Sequence, residues 1–463
     1  MLIQIDRPNS RHSLPCPEPS SEAPASYSVY IETFGCQMNE YDTEIVRTLL
    51  KHHGFRMVEC SEEADAVLLN TCAIRENAHN RVYGHLAMYK PLKEQRGLVV
   101  GVLGCMAQNL KQELMTAQPI IDVLVGPDAY RRLPGLLIQA LQTNQRGMAV
   151  DLSEYETYDQ IMPERRDGVN AWVAVMRGCD NFCTFCVVPY TRGRERSRDP
   201  RSVLEEVHQL VEQGYRQVTL LGQNVNSYRF ADWDFARLLA AVADVPGLVR
   251  VRFTSPHPKD FPPALLDVLA GHPTVCKQIH LPVQSGNDRI LQLMGRSYTR
   301  ASYMTLVEAI RRRGPIALST DIICGFCSEG DEEYADTYRL VQDVEFQNAF
   351  IFKYSQRRHT IAARKYLDDV PESVKTERVA RLLELQKAIS LKKNRALIGS
   401  TVEVLVEGEA KKSHDQWMGH TESNTTVVWA KDDGSVSPGD LVTVAIDDAS
   451  HSTLFGHLHR RNV

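Results

Sequence analysis

Three cysteines within residues 177–187 constrain this chain more than any other feature of its sequence. Cys179, Cys183 and Cys186 follow a C-x3-C-x2-C spacing, and an aromatic residue, Phe185, stands directly before the third. Three thiolates this close together can bind three irons of a cubane 4Fe–4S cluster and leave the fourth iron free for another molecule. A structural zinc site is the alternative, although such a site usually has a fourth Cys or His nearby, and none stands beside this loop.

This spacing, with its aromatic residue, resembles the cluster loop of the radical S-adenosylmethionine (SAM) enzymes. In that family the open iron binds the amino and carboxylate groups of SAM, and one electron splits SAM into methionine and a 5′-deoxyadenosyl radical. The resemblance implies that Cys179, Cys183 and Cys186 are catalytic and that Phe185 contributes to the cofactor site.

The composition is that of a soluble globular protein, and a chain of 463 residues is long enough for about two to four domains. The net charge of −5 gives no overall nucleic-acid signature. No apolar run approaches the ~18 residues needed to span a bilayer, so we expect no membrane association. Eleven cysteines are too sparse for a disulfide scaffold and suggest metal ligation in the cytoplasm. Residues 1–27 are rich in Pro and Ser and predict a disordered tail.

Strands alternate with helices over residues 28–150, which predicts a parallel α/β sheet. Three of its predicted strands end just before Cys36, Cys72 and Cys105. The carboxyl ends of parallel strands share one edge, where such folds bind ligands, so these cysteines should converge and could hold a second cubane cluster. Three ordinary buried cysteines are the alternative. The strands of this domain are predicted at 27–33, 65–70, 98–103 and 121–125.

Residues 151–168 predict a linker, and residues 169–398 predict an incomplete (β/α)6 barrel with a long trailing helix. The clearest helix opens with Asp199 as its cap and Pro200 at its first position, and it stops at Gly214. Six strands are expected near 171–177, 216–222, 248–255, 275–281, 316–324 and 348–355.

Polar residues gather at the predicted carboxyl ends of these strands, where barrels of this kind place their active sites. SAM would need hydrogen-bond partners there, while a loop cap or a turn is the alternative for each residue taken alone. The candidates are Gln223, Asn224, Ser255, Gln284, Ser285 and Asp321.

Two other motifs of the central region are ambiguous. Cys324 and Cys327 form a second C-x2-C pair, which we expect to be incidental because no further ligand stands close by. A basic run directly after the cluster loop is either solvated or placed to bind RNA phosphates. The run consists of Arg192, Arg194, Arg196, Arg198 and Arg201.

Residues 399–463 alternate apolar and polar side chains in short strands, which predicts a small all-β barrel of a kind that often binds nucleic acid. A purely structural cap is the alternative. Strands are expected from Thr401 and at 425–430, 441–446 and 453–458. The candidate phosphate contacts are Lys411, Lys412, His420, His459 and Arg460.

Together these features resemble the methylthiotransferase family of radical SAM enzymes, over nearly everything after about residue 28. The phrases that carry the resemblance are residues 35–43 (GCQMNEYDT), 70–75 (NTCAIR), 178–193, 220–228 (LLGQNVNSY) and 254–258 (TSPHP). Gln37, Met38 and Asn39 favour the branch that acts on isopentenyladenosine in tRNA. Branches that act on threonylcarbamoyladenosine or on a ribosomal-protein aspartate remain alternatives, as does a non-catalytic RNA-binding protein with structural metal.

The resemblance implies a three-cysteine domain, a radical SAM core and a C-terminal TRAM domain that holds tRNA. It implies two 4Fe–4S clusters, with the second held by Cys36, Cys72 and Cys105 and carrying the sulfur. One SAM would methylate that sulfur, and a second would yield the radical that removes hydrogen from carbon 2 of the adenine beside the anticodon. A flavodoxin- or ferredoxin-type electron donor and a sulfur donor are the other implied partners.

Two turns depart from the family pattern. Residues 325–329 (GFCSE) stand where the family usually has Gly-Phe-Pro-Gly-Glu. Residues 354–360 (YSQRRHT) stand where a Pro-rich turn containing Gly is usual. Because both turns are predicted at barrel strand ends, we expect SAM contacts or activity to be affected there.

Overall fold

The computed structural model describes residues 27–73, 76–165, 168–411, 413–431 and 436–462. In this part the chain forms an α/β sheet, then a parallel barrel, then a small closed β-barrel, which confirms the predicted fold class. The predicted tail, residues 1–27, lies outside the described residues except for Tyr27. Within the same ranges no helix is both long and apolar enough to cross a membrane.

The N-terminal sheet is parallel throughout, with the strand order β2-β1-β3-β4-β5-β6. The carboxyl ends of β1, β3 and β4 therefore lie side by side at one edge, as predicted for the strands that precede the three cysteines. The elements are β1 Ser28–Thr33, α1 Gln37–His52, β2 Arg56–Met57, β3 Ala66–Thr71, α2 Glu76–Arg96, β4 Val99–Gly104, α3 Cys105–Ala117, β5 Val123–Val125, α4 Leu133–Thr143 and β6 Gly147–Ala149.

The central region contains the six predicted parallel strands, in two sheets ordered β13-β10-β7 and β14-β15-β16. A parallel bridge between Val251 and Val275 joins the two sheets into one curved wall. The elements are β7 Asn170–Ala174, β8 Met176–Arg177, α5 Val188–Thr191, β9 Arg196–Ser197, α6 Pro200–Glu212, β10 Gln217–Leu221, β11 Arg229–Phe230, β12 Trp233–Asp234, α7 Phe235–Ala243, β13 Arg250–Phe253, α8 Pro263–Gly271, β14 Gln278–His280, α9 Asp288–Leu293, α10 Arg300–Arg311, β15 Ala317–Cys324, α11 Asp331–Val344, β16 Asn348–Lys353, α12 Ile361–Lys365 and α13 Glu372–Arg395.

Helix α6 shows why these segments fold as the sequence predicts. The side chain of Asp199 accepts a hydrogen bond from the N–H of Arg201, and Pro200 occupies the first helical position, where its missing N–H costs nothing. Val203, Val207 and Leu210 repeat at helical spacing and are buried against the barrel strands. The helix therefore packs one apolar face on the sheet, as the pattern predicted.

The C-terminal barrel closes in the order β17-β18-β19-β21-β20. Its second strand, β18, was not predicted, because its sequence lacks a run of apolar residues. Arg250 and Arg252 attach this barrel to the amino ends of the central strands by donating to backbone oxygens of His420 (2.6 Å), Thr421 (2.7 Å) and Glu422 (2.9 Å). Its strands are β17 Thr401–Ala410, β18 Ser413–Thr421, β19 Thr426–Ala430, β20 Leu441–Ala449 and β21 Thr453–Asn462.

Buried ion pairs dock the N-terminal sheet onto the central barrel. Asp42 of α1 is fully buried and accepts hydrogen bonds from Arg177 and Arg192, the latter at 2.9 Å. Asp128 accepts both guanidinium nitrogens of Arg196, at 2.8 and 3.0 Å. Charges buried this deeply persist only when they are paired in good geometry, so these contacts define how the two units sit together.

A third buried ionic contact involves Glu206 of α6. It accepts from Arg198 at 2.6 Å, and Arg165 links it to Glu44 of α1. The prediction that the basic run is solvated or binds phosphates is thus wrong for Arg192, Arg196 and Arg198, which are buried and face the N-terminal unit. Asp42 and Asp128 stand more than 60 positions away in sequence from the arginines that they bind, and Glu206 lies on α6, which begins after Arg198. No local sequence pattern therefore predicts these ion pairs.

Candidate active site

A cavity of about 1400 Å³ opens between the three units of the fold. Residues from both cysteine sets line it, including Cys36, Cys72 and Cys186. The inner faces of the barrel strands form its middle, and residues of the C-terminal barrel, such as His420 and Asn424, form its far wall. A cavity of this size accommodates more than one ligand of nucleoside size.

The loop that carries Cys179, Cys183 and Cys186 is held by backbone and side-chain contacts. Gly178 adopts a left-handed φ of 79°, and a Cβ on this residue would lie 1.9 Å from the carbonyl oxygen of Arg194. Its N–H donates to Oε1 of Gln223 at 2.5 Å. Glycine is therefore required at the position before the first cysteine.

Arg296 contacts this loop from a position far along the chain. Its Nη1 donates to the Sγ of Cys183 at 3.2 Å, and its Nη2 donates to the carbonyl oxygen of Pro282 at 3.1 Å. Burial raises the pKa of the Cys179 thiol to about 11 and that of Cys186 to about 12. A cluster at this loop would bind thiolates, so its loading would release protons, and the charge of Arg296 favours the thiolate form of Cys186.

Two cysteines of the second set stand at helix starts and the third at a strand end, all at the edge of the sheet. Cys36 is the residue directly before α1, Cys105 is the first residue of α3, and Cys72 directly follows β3. The backbone dipoles at a helix start favour a thiolate. Gly35 has φ of 128°, and a Cβ there would lie 2.5 Å from the Cβ of Cys72, so the two loops approach as closely as glycine allows.

The three thiols interact with one another and with Arg192. Hydrogen bonding with Cys72 and the charge of Arg192 lower the pKa of Cys36 to about 6, against the effect of burial. Burial raises the pKa of Cys105, with the charge of Arg192 opposing it and that of Cys36 adding to it. The predicted convergence of Cys36, Cys72 and Cys105 is thus present, and Cys105 packs on Val187, next to the other cysteine loop.

Both sets have the donor atoms of a cubane cluster. Among the described residues no group of three His, Cys, Asp or Glu side chains is arranged to hold one metal ion. In a cubane cluster each thiolate binds a different iron, so three thiolates leave one iron without a protein ligand. Three soft thiolates with no fourth protein ligand are the donor set that such a cluster needs.

Three of the predicted SAM contacts, together with Phe185, line the cavity. These are Ser255, Gln284 and Asp321. Gln284 is 8% exposed, has a left-handed φ of 69°, and its Oε1 has no hydrogen-bond partner among the described residues. A buried carbonyl oxygen without a partner is costly, so its position on the cavity wall fits a polar ligand such as SAM.

The other three predicted contacts are not among the residues that line the cavity. Gln223 supports the cluster loop through Gly178, as described above. Asn224 donates to Glu195 at 3.2 Å and to Asp260 at 3.1 Å. Ser285 is fully buried against Thr337. These side chains position loops, which the sequence alone cannot separate from ligand contacts, because both roles place polar residues at strand ends.

The cavity also contains residues that the sequence did not single out. His280 lies between Ser319 (3.0 Å) and Asp321 (3.3 Å). Phe350 and Phe352, on the same face of β16, are 48% and 38% exposed although they lie inside a concave wall. The two phenylalanines are two positions apart in an otherwise apolar strand, so the sequence shows that they share one face of β16. It does not show whether that face points into the cavity or towards the surrounding helices.

The two turns that depart from the family pattern keep a conformation suited to glycine. Ser328 and His359 have φ of 61° and 69°. Cys327 is buried beside Phe326 and Tyr354, and Cys324 lies in β15, so both are core residues, as expected for incidental cysteines. Ser328 and His359 therefore carry backbone strain at these two turns.

Replacing His359 by glycine is expected to stabilise the fold by about 0.5–1 kcal/mol, because relief of the left-handed strain exceeds the entropy that glycine loses on folding. Chemical denaturation of the two proteins measures the difference. Gln356 lies in the same loop, is exposed and has no left-handed φ, so Gln356→Gly is the matched control and should be neutral or destabilising.

The predicted phosphate contacts of the C-terminal barrel have different surroundings. His420 lines the cavity and pairs with Glu407 at 2.9 Å, whereas His459 and Arg460 are exposed on β21. Lys411 is also exposed, and Lys412 lies outside the described residues.

Comparison with known proteins agrees with these three units. The model of the uncharacterized protein family UPF0004 matches residues 28–126, that of the radical SAM superfamily residues 173–341, and that of the TRAM domain residues 395–459. The solved radical SAM methyltransferase TsrM from Kitasatospora setae superposes with a TM-score of 0.58 at 15% identity, covering 73% of this chain and 74% of that one. At this identity the likeness concerns the fold.

Fold and site together define a radical SAM enzyme with an additional three-cysteine domain. A protein from Porphyromonas gingivalis named tRNA-2-methylthio-N(6)-dimethylallyladenosine synthase is 46% identical over 95% of this chain and 96% of its own length. A protein of the same name from Chloroherpeton thalassium is 47% identical over 93% of this chain and 95% of its own. The chain belongs to this family of synthases.

Proposed function

We propose that this enzyme transfers a methylthio group to carbon 2 of N6-dimethylallyladenosine next to the anticodon in tRNA. The observation that carries the proposal is the shared cavity: both cysteine sets reach it, and Cys105 packs against the residue that follows Cys186. A sulfur-containing group held by Cys36, Cys72 and Cys105 can therefore reach an adenine activated beside Cys179, Cys183 and Cys186 without leaving the cavity. The names of the relatives supply the substrate.

In this proposal Cys179, Cys183 and Cys186 hold the cluster that binds SAM, and Cys36, Cys72 and Cys105 hold the second. The bound groups supply a 5′-deoxyadenosyl radical and a sulfur atom, chemistry that an unreactive aromatic carbon requires and that side chains lack. The chain's own residues bind and orient: Phe185, Ser255, Gln284 and Asp321 face SAM. Two SAM molecules are used per product.

The remaining wall of the cavity suits a base that is splayed out of the anticodon loop. Phe350 and Phe352 offer apolar faces to the adenine and its dimethylallyl chain, and the Ser319–His280–Asp321 series offers hydrogen-bonding groups. Single-stranded RNA is commonly recognised by stacking unstacked bases on aromatic side chains. The TRAM barrel, attached to the amino ends of the barrel strands, would hold the rest of the tRNA.

Replacing Phe350 by alanine is expected to raise the KM for tRNA about 5- to 150-fold, since base–aromatic stacking contributes about 1–3 kcal/mol. SAM cleavage without tRNA should change little. Steady-state kinetics with a purified dimethylallylated tRNA measures both. Tyr155 is an exposed aromatic residue outside the cavity, so Tyr155→Ala is the control, and an equal effect of the two variants would count against the role of Phe350.

The proposed function is tested by incubating the anaerobically reconstituted protein with SAM, a reductant and tRNA that carries dimethylallyladenosine, then analysing the nucleosides by mass spectrometry. We expect 2-methylthio-dimethylallyladenosine together with 5′-deoxyadenosine. Formation of 5′-deoxyadenosine without the methylthio nucleoside would indicate another substrate. Absence of both products, in protein with a full iron content, would contradict the enzymatic proposal.

We further propose that a low-potential flavodoxin or ferredoxin supplies the electrons, that a separate donor restores the sulfur, and that the enzyme works in the cytoplasm with its tRNA. The proposed domains are 28–150 for the second cluster, 169–398 for radical generation and 399–463 for RNA, with 151–168 as the linker. If the enzyme forms more than one equivalent of methylthio product per chain only when a sulfur donor is added, the proposal of a separate sulfur donor is supported.

A further inference from the structure

We propose that Arg192 is a positioning residue that places a positive charge on the sulfurs of the second cluster site, and that Asp42 holds it there. The inference rests on the assignment of Cys36, Cys72 and Cys105 in the proposed function. Arg192, a residue of the radical-generating domain, would then directly influence the reduction potential of the cluster that the N-terminal domain holds.

The geometry around Arg192 carries the inference. Its side chain is 3% exposed, and its Nη2 donates to Asp42 Oδ2 at 2.9 Å and to Asn39 Oδ1 at 3.0 Å. Its Nη1 has no hydrogen-bond partner among the described residues. A buried guanidinium nitrogen without a partner is costly, so its neighbourhood needs an acceptor.

The second set of thiols lies next to this guanidinium. The Sγ of Cys36 is 3.8 Å from Oδ1 of Asn39, the same atom that accepts from Nη2 of Arg192 at 3.0 Å. A guanidinium carries five N–H donors in a planar fork, so Arg192 can bind Asp42 with one nitrogen and face sulfur with another. Hydrogen bonds to cluster sulfurs and nearby charge are recognised determinants of iron–sulfur potentials.

Asp42 links this arginine to the first cluster loop. Its other carboxylate oxygen accepts from Arg177, which directly precedes Gly178 and Cys179, while α1, which carries Asp42, begins immediately after Cys36. One buried carboxylate thus ties together the starts of both cysteine loops. In the other set Arg296 donates directly to the Sγ of Cys183, at 3.2 Å.

The chain offers a matched control for Arg192. Arg196 is 7% exposed, belongs to the same run, and binds Asp128 of the N-terminal unit with two nitrogens, at 2.8 and 3.0 Å. Its other acceptors are the carbonyl oxygens of Ser153 and Arg192, and no thiol is among its hydrogen-bond partners in the described part of the chain. Removing Arg196 should therefore cost docking stability without changing the charge at the sulfurs.

The experiment uses full-length protein in which Cys179, Cys183 and Cys186 are replaced by alanine, so that only the second cluster remains. Its reduction potential is measured by redox titration monitored by electron paramagnetic resonance, in this background and after adding Arg192→Met, Arg192→Lys or Arg196→Met. Reduction adds negative charge, which the guanidinium stabilises, so Arg192→Met should shift the potential to lower values. Arg196→Met should leave it at the background value.

The outcomes separate this inference from the assignment on which it rests. A background protein that binds no iron would contradict the assignment of the second cluster. A loaded cluster whose potential is the same with methionine at 192 and at 196 would overturn the role of Arg192. Arg192→Lys keeps the charge and should stay close to the background value, so a shift as large as that of Arg192→Met would overturn the role of the charge. If Arg192→Met fails to fold, Arg192→Gln replaces it as the neutral variant, and an unchanged potential there would also overturn the inference.

Discussion

Replacing Cys105 by alanine is expected to abolish methylthiolation while the protein still cleaves SAM to 5′-deoxyadenosine. Cys105 is not among the residues that face SAM, but it is one of only three thiols that converge at the edge of the N-terminal sheet within the described residues. A cluster with one ligand removed is lost or labile, so the iron content should fall from about eight to about four per chain. Iron analysis, 5′-deoxyadenosine quantification and nucleoside analysis measure the three effects.

Cys324→Ala is the matched control for this variant. Cys324 is equally buried, but it lies within β15 and packs in the barrel core. Its replacement should preserve both the iron content and the methylthio product and should cost only packing energy. If Cys105→Ala kept full iron or formed product at the normal rate, the second cluster would have to be assigned elsewhere.

Replacing Asp42 by alanine is expected to destabilise the protein by about 3–5 kcal/mol, because two buried guanidinium groups, Arg177 and Arg192, lose their shared carboxylate. Calorimetry or denaturant unfolding of the metal-free protein measures this loss, which keeps the effect separate from cluster loading. The loaded variant should also bind less iron, since α1 and both cysteine loops depend on the same contact.

Asp180 provides the comparison for Asp42. It forms an ion pair of 2.9 Å with Arg194, but the side chains of the two residues are 39% and 67% exposed. Exposed ion pairs contribute only about 0–1 kcal/mol, so Asp180→Ala should be close to neutral. Equal losses for Asp42→Ala and Asp180→Ala would mean that the buried pair does not dock the two units.

Local pattern was sufficient to predict most of the architecture. The strands around the three N-terminal cysteines and the six barrel strands are short apolar runs bounded by turn residues, and they alternate with amphipathic helices. Parallel sheets made from such units place their carboxyl ends together, so the convergence of Cys36, Cys72 and Cys105 follows from topology. The spacing of Cys179, Cys183 and Cys186 is a local property of the chain and carries its chemistry directly.

Pairing between distant residues was not predictable in the same way. The basic run was predicted to be solvated or to bind phosphates because its charges are visible in the sequence, whereas acids that neutralise them, such as Asp42 and Asp128, are scattered through another domain. Arg296 was missed for the same reason, since it is 113 positions away from Cys183. A charged residue with no oppositely charged residue nearby in the sequence can therefore be either exposed or buried in the folded protein.

The sequence by itself determined the spacing of the cysteine loop, a second set of three cysteines at strand ends, and three successive folding units. The tertiary structure alone decided which polar residues face the cavity, which arginines are buried between domains, and that both cysteine sets share one cavity. The physical reason is the range of the interactions: cluster spacing and strand alternation are local along the chain. Burial and ion pairing depend on surfaces that meet only after the chain has folded.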